Sequence, residues 1–250
     1  MAAPAATAAA PPPAAQNPSP MVERTRTHGR VAPHALTTRR VVLEGILPRP
    51  VELHLPARSR PGHPSSLLVH FLGPAYLAVD AAQAVDSTMA VAVVNLGAGS
   101  SAYERPFLDP GRWAQLLAAA DSAVNDGAAA RSPLGSVYLS AFSAGNGAVR
   151  AIIADSVAAE RVRGIVVLDG IHTGYIPDRR VLADGGSLDP ANLRSLLRYA
   201  RRAMTGEVRM LVSHSEVFPG TFASTTETAD WLLAALTVPR TAVLSWGPNG

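Results

Sequence analysis

The segment Val137-Tyr-Leu-Ser-Ala-Phe-Ser-Ala-Gly-Asn-Gly-Ala-Val-Arg150 carries the most chemically suggestive spacing in the chain. A short apolar run, Val137–Leu139, leads into Ala141-Phe142-Ser143-Ala144-Gly145, and a helix-compatible stretch follows at once. This approximates G-x-S-x-G, the strand–turn–helix that lifts a serine hydroxyl onto a sharp, strained turn, with Ala141 in the first glycine position. The residue types follow from sterics. Strand and helix close together at such a turn, so the positions two before and two after the serine must be small, as Ala141 and Gly145 are. A helix start beneath the serine offers backbone N–H groups and partial positive charge to a developing oxyanion. The implied chemistry is acyl transfer through Ser143, with the Ala144 N–H as an oxyanion donor. The plain structural alternative makes Ser143 a small turn residue that caps a helix.

A nucleophile of this kind needs a sheet to stand on, and the surrounding pattern supplies one. Val41–Ile46 and Val51–Leu55 read as a strand pair, and Leu67–Phe71 as a strand buried on both faces. Tyr76–Val85 is helix-compatible and Met89–Leu96 is the next strand. Trp113, Leu116, Leu117, Ala120 and Val124 fall on one face of a helix that stops near Gly127. After the serine motif come a helix from about Gly147 to Ala158 and the buried strand Gly164–Leu168, ending at Asp169-Gly170. Asp189-Pro190 opens a helix, Arg209–Val212 is a strand, and Ser224-Thr-Thr-Glu227 matches a capping box. Ala242–Trp246 reads as a last strand. Strands alternating with amphipathic helices predict an α/β fold, a mostly parallel sheet with helices on both faces. Two loops, 98–112 and 171–189, are expected to border the pocket and to offer it Tyr103, Phe107, Tyr175 and Ile176 as an apolar lining.

Composition narrows the partners. Hydrophobic residues make up 48% and charged residues only 16%, so the chain has enough apolar surface to bury a core. Without cysteine it has neither disulfides nor thiolate chemistry. All 22 basic residues are arginine, yet the net charge is only +3 and aromatic residues are 5%, which argues against a basic nucleic-acid stripe with stacking platforms. The cluster Arg194, Arg198, Arg201 and Arg202 on one helix reads as a solvated face, with an anion or nucleic-acid binder as the competing expectation. The seven histidines show no H-x-x-x-H or H-E-x-x-H spacing, so no metal or cofactor is expected. No apolar run reaches the roughly 18–20 residues of a membrane span. Residues 1–37 form an Ala/Pro-rich leader or linker ahead of a single domain at 38–250. Composition assigns no compartment: the chain is cytoplasmic, or exported with an Ala/Pro-rich leader that follows a signal peptide.

His70-Phe71-Leu72-Gly73, at the end of an early strand, resembles an HGGG-type oxyanion turn in which Phe71 and Leu72 replace the middle glycines. The N–H of either would then join that of Ala144; otherwise His70 is a satisfied strand-end histidine. Together with AFSAGNGAVRAII, LDGIHTGY and SHSEVFPGTFASTTETADWLL, this turn makes the chain resemble the α/β-hydrolase superfamily, in particular bacterial hydrolase-like proteins of undefined substrate. The resemblance implies a Ser–acid–His triad acting on a small-molecule ester or amide. Ser143 matches the nucleophile. Asp169, after the strand that follows the elbow helix, and Glu216, after the next strand, are both candidates for the acid. The family's histidine follows the last strand, and no histidine lies beyond His214 here. The expectation is therefore a chain that stops at Gly250 before its base. Substitution by His214 or His172, or a hydrolase-fold binding protein with no base, are the alternatives.

Overall fold

The computed structural model describes residues 32–57, 64–97, 99–126 and 133–242. The two apolar runs nearest the serine motif, β3 (Leu67–Phe71) and β5 (Val137–Phe142), lie side by side as parallel strands with Phe71 opposite Ala141. Around them β1 (Arg39–Leu43), β2 (Val51–Leu55), β4 (Ala90–Val94), β6 (Val162–Leu168) and β9 (Arg209–Ser213) complete a seven-stranded sheet in the order β1-β2-β4-β3-β5-β6-β9. β1 and β2 are antiparallel; β4, β3, β5, β6 and β9 run parallel. The short pair β7 (Tyr175–Ile176) and β8 (Ser187–Leu188) stands apart, within the loop that follows β6.

The pleat sorts β4 between two cores. Ala90, Ala92 and Val94 join the larger one, with Leu116 and Trp113 of α3 (Pro110–Val124) and Ile152 of α4 (Asn146–Ala154). Val91 and Val93 turn the other way, onto Val79 and Ala82 of α1 (Ala75–Val85). A strand covered on both faces has no polar side to present, hence its unbroken run of small and β-branched residues. Each large aliphatic side chain buried this way contributes roughly 1.5–3 kcal/mol. The parallel centre and the helices on both faces are the α/β architecture that the sequence pattern predicts, and the strand order is that of the α/β-hydrolase fold that the resemblance implies.

Three local expectations are corrected. The segment expected as a loop at 98–112 contains α2 (Ser100–Phe107), whose Tyr103 and Phe107 are buried in the main core rather than in a pocket. Pro106, in its last turn, and the glycines before it hid this helix from a propensity reading. The helix expected from Gly147 to Ala158 is two: α4 ends at Ala154, and Asp155 caps α5 (Ser156–Arg161) by accepting from Ala158 N at 2.8 Å. The arginines of α6 (Arg194–Met204) are not all solvated. Arg198 donates to Ile153 O and Ala154 O at the end of α4, and Arg202 pairs with Glu207 at 2.6 Å. The capping box forms at Ser224, opening α7 (Thr225–Leu236). Residues 1–31 of the leader, the stop at Gly127 and the strand Ala242–Trp246 from residue 243 on lie outside the described residues.

Glycine decides two contacts behind the serine. A Cβ on Gly145 would enter the van der Waals envelope of Phe71 O in β3, and one on Gly147 that of Ser100 O in α2. Neither backbone carbonyl can move without its element. Gly145→Ala and Gly147→Ala should each lower stability by about 1–3 kcal/mol in urea titrations, whereas Gly174→Ala, with open space around its Cβ position, should stay within about 0.5 kcal/mol. An unchanged midpoint for Gly145→Ala would contradict the close approach.

Two histidines buried in the fold set a pH dependence. His70 donates or accepts through Nδ1 with Ser140 Oγ at 2.6 Å, and burial holds its pKa below the ordinary 6.5. His54 is shifted the same way by burial, against the opposing pull of Glu52. The folded state therefore binds fewer protons than the unfolded chain below pH 6.5, so stability is full above that value and falls as pH drops through it. Urea midpoints should decline between pH 7.5 and 5.5, and less steeply in His70→Gln. A flat profile would show that these rings stay solvated.

Candidate active site

Ser143 begins a single 3-10 turn, Ser143–Gly145, that links the end of β5 directly to α4. Its φ is +46°, a left-handed conformation that non-glycine residues seldom adopt and that costs about 1–3 kcal/mol. The surroundings impose it. Behind the turn Gly145 abuts Phe71 O, and beside it a Cβ on Gly170 would come within 2.8 Å of Ser143 O. Ser143 is half-buried, and its hydroxyl has no hydrogen-bond partner among the described residues.

A cavity of about 440 Å³ opens at this turn. Ser143, Ala144 and Arg150 line it from the elbow and α4; His172 and Thr173 enter from the loop after β6. Ser100, the first residue of α2, and Asn192 and Phe222 complete the polar and aromatic wall. Ala144 lies in the first turn of a helical run, where N–H groups have no intrahelical acceptor. The start of α2 likewise has no side-chain cap, its N-cap being Gly99.

His172 is the histidine that shares this cavity among the described residues. Its ring meets the Phe222 ring edge-on at 5.4 Å, and its Nδ1 is buried without a hydrogen-bond partner. Burial lowers its pKa from 6.5; Asp169 pulls in the opposite direction, and Arg150 adds to the lowering. The imidazole is thus held neutral, the form that can take a proton.

The two acid candidates part company. Asp169, also at positive φ (+47°), accepts from Ser215 N at 3.0 Å, from Ser215 Oγ at 2.9 Å and from Thr225 Oγ1. Its carboxylate thereby joins the end of β6 to the β9–α7 loop and to the first residue of α7. Glu216 is exposed and outside the cavity. His214 is also exposed and turned elsewhere: its Nδ1 lies 3.0 Å from Thr226 Oγ1 and its Nε2 3.2 Å from Arg240. Neither His214 nor Glu216 lines the cavity that Ser143 opens onto; both are exposed, on the segment that Asp169 holds through Ser215.

The expected oxyanion turn is corrected as well. Leu72 N donates to Val94 O at 3.0 Å, extending the β3–β4 ladder, and Gly73 N donates to Asn95 Oδ1 at 3.0 Å. Phe71 lies within β3, in register with Val94 and Ala141 on its two sides. Leu72 thus has no free N–H for an oxyanion, and His70 is the satisfied strand-end histidine. Tyr175 is buried, its hydroxyl donating to Glu227 at 2.8 Å, and Ile176 is exposed; neither lines the cavity.

Sequence reasoning missed Arg150. Every other residue of α4 before Ala154 is buried, and Arg150 donates to Glu104 Oε2 of α2 at 2.7 Å. A lone charge in the run Ala148-Val-Arg-Ala-Ile-Ile153 was the available signal, since a buried charge requires a partner. Among the described residues no cluster of three or more histidine or carboxylate side chains could hold a metal ion, and no helix is long and apolar enough to cross a membrane.

Comparison with known proteins adds likenesses of shape. No protein-family model matches the chain, and no curated protein does. Among solved structures it is similar to a thermostable esterase at 14% identity, over 78% of this chain and 62% of that one, with a TM-score of 0.41. The chain thus spans less than two thirds of that esterase. It is similar also to a thermophilic esterase from the planctomycete Thermogutta terrifontis at 13% identity, over 80% of this chain and 78% of that one, with a TM-score of 0.44. A third similar structure is an acylaminoacyl peptidase from Pyrococcus horikoshii, at 12% identity, over 81% of this chain and 36% of that one, with a TM-score of 0.46.

Proposed function

We propose that the protein is a serine hydrolase that transfers an acyl group from a small ester or amide to water through Ser143. The observation that carries this reading is the strained backbone of Ser143, held at a cavity mouth ahead of a helix start. Strain of this kind persists where it serves a site. Ser143 Oγ forms the bond to the substrate carbonyl carbon while its proton passes to a base. The carbonyl oxygen takes up negative charge near Ala144 N–H, and the base returns the proton to the leaving alcohol or amine as its bond to carbon breaks. Water then repeats the sequence and frees the acid. His172 is the base we assign within the described chain, because it shares the cavity and is held neutral. Asp169 is the acid, through its field on that ring.

A second reading, a hydrolase-fold binding protein, is favoured by one observation. Neither Ser143 Oγ nor His172 Nδ1 has a hydrogen-bond partner among the described residues, so the proton path is not formed.

A fluorophosphonate probe with mass-spectrometric mapping separates the two. Labelling at Ser143 that disappears in Ser143→Ala supports the hydrolase; a folded protein that resists the probe supports the binder. Hydrolysis of p-nitrophenyl butyrate should fall by about 10²-fold or more in His172→Ala and by less than about threefold in His214→Ala, whose ring faces Thr226 and Arg240. The acid limb of kcat/KM should have its midpoint below pH 6.5, since burial lowers the His172 pKa. If His172→Ala retains full rate, another group is the base.

A further inference from the structure

The walls of the serine cavity carry charge of one sign. Arg150 is its one permanently ionised residue, and no aspartate or glutamate lines it among the described residues. Two helical starts open onto it as well: the turn that carries Ser143 and Ala144, and the uncapped first turn of α2 at Ser100. Helix N-termini add partial positive charge. The remaining polar wall, with Ser100, Thr173 and Asn192, is uncharged.

Arg150 itself is incompletely partnered. Its side chain is 12% exposed, and one Nη donates to Glu104 Oε2 at 2.7 Å. Its Nε is buried with no acceptor. A guanidinium has five N–H donors in a fixed fork, and one carboxylate oxygen serves only a part of them. Glu104 stands on α2 outside the cavity lining, so it holds Arg150 from behind. Arg150 follows Ser143 by seven residues, two helical turns along the elbow helix.

From this we infer that the cavity selects substrates bearing a carboxylate near the scissile carbonyl, with Arg150 as the specificity-determining residue that pairs with it. The inference rests on Ser143 being the reacting group of this cavity. A half-ester of a short dicarboxylic acid has the required chemistry: one end offers the ester to Ser143, and the other offers two oxygens to the guanidinium fork. Charge-assisted bonds of this kind are the strong ones, and Arg presents them with fixed geometry. A neutral acyl chain of the same length offers no acceptor to the guanidinium N–H groups that Glu104 leaves unserved, so discrimination of at least about tenfold is expected.

The experiment has a catalytic arm and a binding arm. The first compares kcat/KM for mono-p-nitrophenyl glutarate with that for p-nitrophenyl valerate, two esters of equal acyl length and leaving group. The anionic ester should be preferred at least about tenfold, and Arg150→Gln should bring the ratio close to one. The second measures glutarate binding to Ser143→Ala by calorimetry, with dimethyl glutarate as the uncharged control. Glutarate should bind at least about tenfold tighter, and adding Arg150→Gln should abolish the difference. If Arg150→Gln fails to melt cooperatively, Arg150→Lys and Glu104→Gln carry the test. Lysine should keep part of the preference, and removing the Glu104 charge should leave glutarate binding at least as tight. Equal treatment of both probes, a preference that survives Arg150→Gln, or weaker glutarate binding in Glu104→Gln would overturn the assignment. If neither ester is hydrolysed but glutarate binds through Arg150, the serine reading fails and the anion site stands.

Discussion

Everything at the centre of this molecule is arranged around the contact between Gly145 and the Phe71 carbonyl. The backbone of Ser143 is bent into a left-handed conformation at a cost of about 1–3 kcal/mol. Only tight closure of the elbow onto β3 keeps it there. The closure requires β3 and β5 to be neighbours in register, Phe71 opposite Ala141, so that the turn falls beside a fixed carbonyl. It also requires the helix that follows to lie hard against α2, where Gly147 meets Ser100 O. One missing side chain at each of two positions thus sets the separation of a strand and two helices. The buried aliphatic layers on both sides of β3, β4 and β5 supply the stabilisation that offsets the strained residue.

A second strut lies one strand away. Asp169 also sits at positive φ, and its carboxylate accepts three hydrogen bonds from Ser215 and Thr225. Those bonds tie the end of β6, three residues before His172, to the β9–α7 loop and to the start of α7. The same carboxylate acts on the His172 ring through its field. One side chain therefore fixes where the loop goes and shapes the electrostatics of the cavity wall.

How far the sequence reveals this differs between fold and site. Val137–Leu139, Gly164–Leu168 and Leu67–Phe71 are continuous apolar runs, and burial on both faces leaves that signature in any order of reading. The capping box at Ser224 is equally plain, because it is a local hydrogen-bond pattern. The elbow is legible because its sterics act between residues two apart. The cavity wall is not. Ser100, Arg150, His172 and Asn192 come from four segments, and no periodicity links them. α2 escaped because Pro106 and its flanking glycines suggest a loop, while packing of Tyr103 and Phe107 into the core makes it a helix. The placement of Leu72 failed for a related reason. Sequence shows a strand end, but not that the neighbouring strand still has a carbonyl, Val94 O, to claim its amide.

The Arg150–Glu104 pair is best understood against what stability alone would ask. Removing two charges from water costs several kcal/mol per ion, and a well-packed apolar pair commonly does as well or better. Position 150 lies in a helix whose other residues before Ala154 are all buried, most of them alanine, valine and isoleucine. Other ion pairs of this protein are different in kind. Arg202–Glu207 and Arg40–Glu52 stand near the surface, where they cost little and contribute little. Among the described residues, only Arg150 combines a largely buried side chain, an unpaired Nε and a position on the wall of the serine cavity. A guanidinium kept there at such expense is more readily understood as a feature of recognition than of folding. The turn of Ser143 runs directly into the helix that carries Arg150, so on the proposed reading the serine and the guanidinium hold a fixed separation. A fixed separation is what measures the length of a substrate.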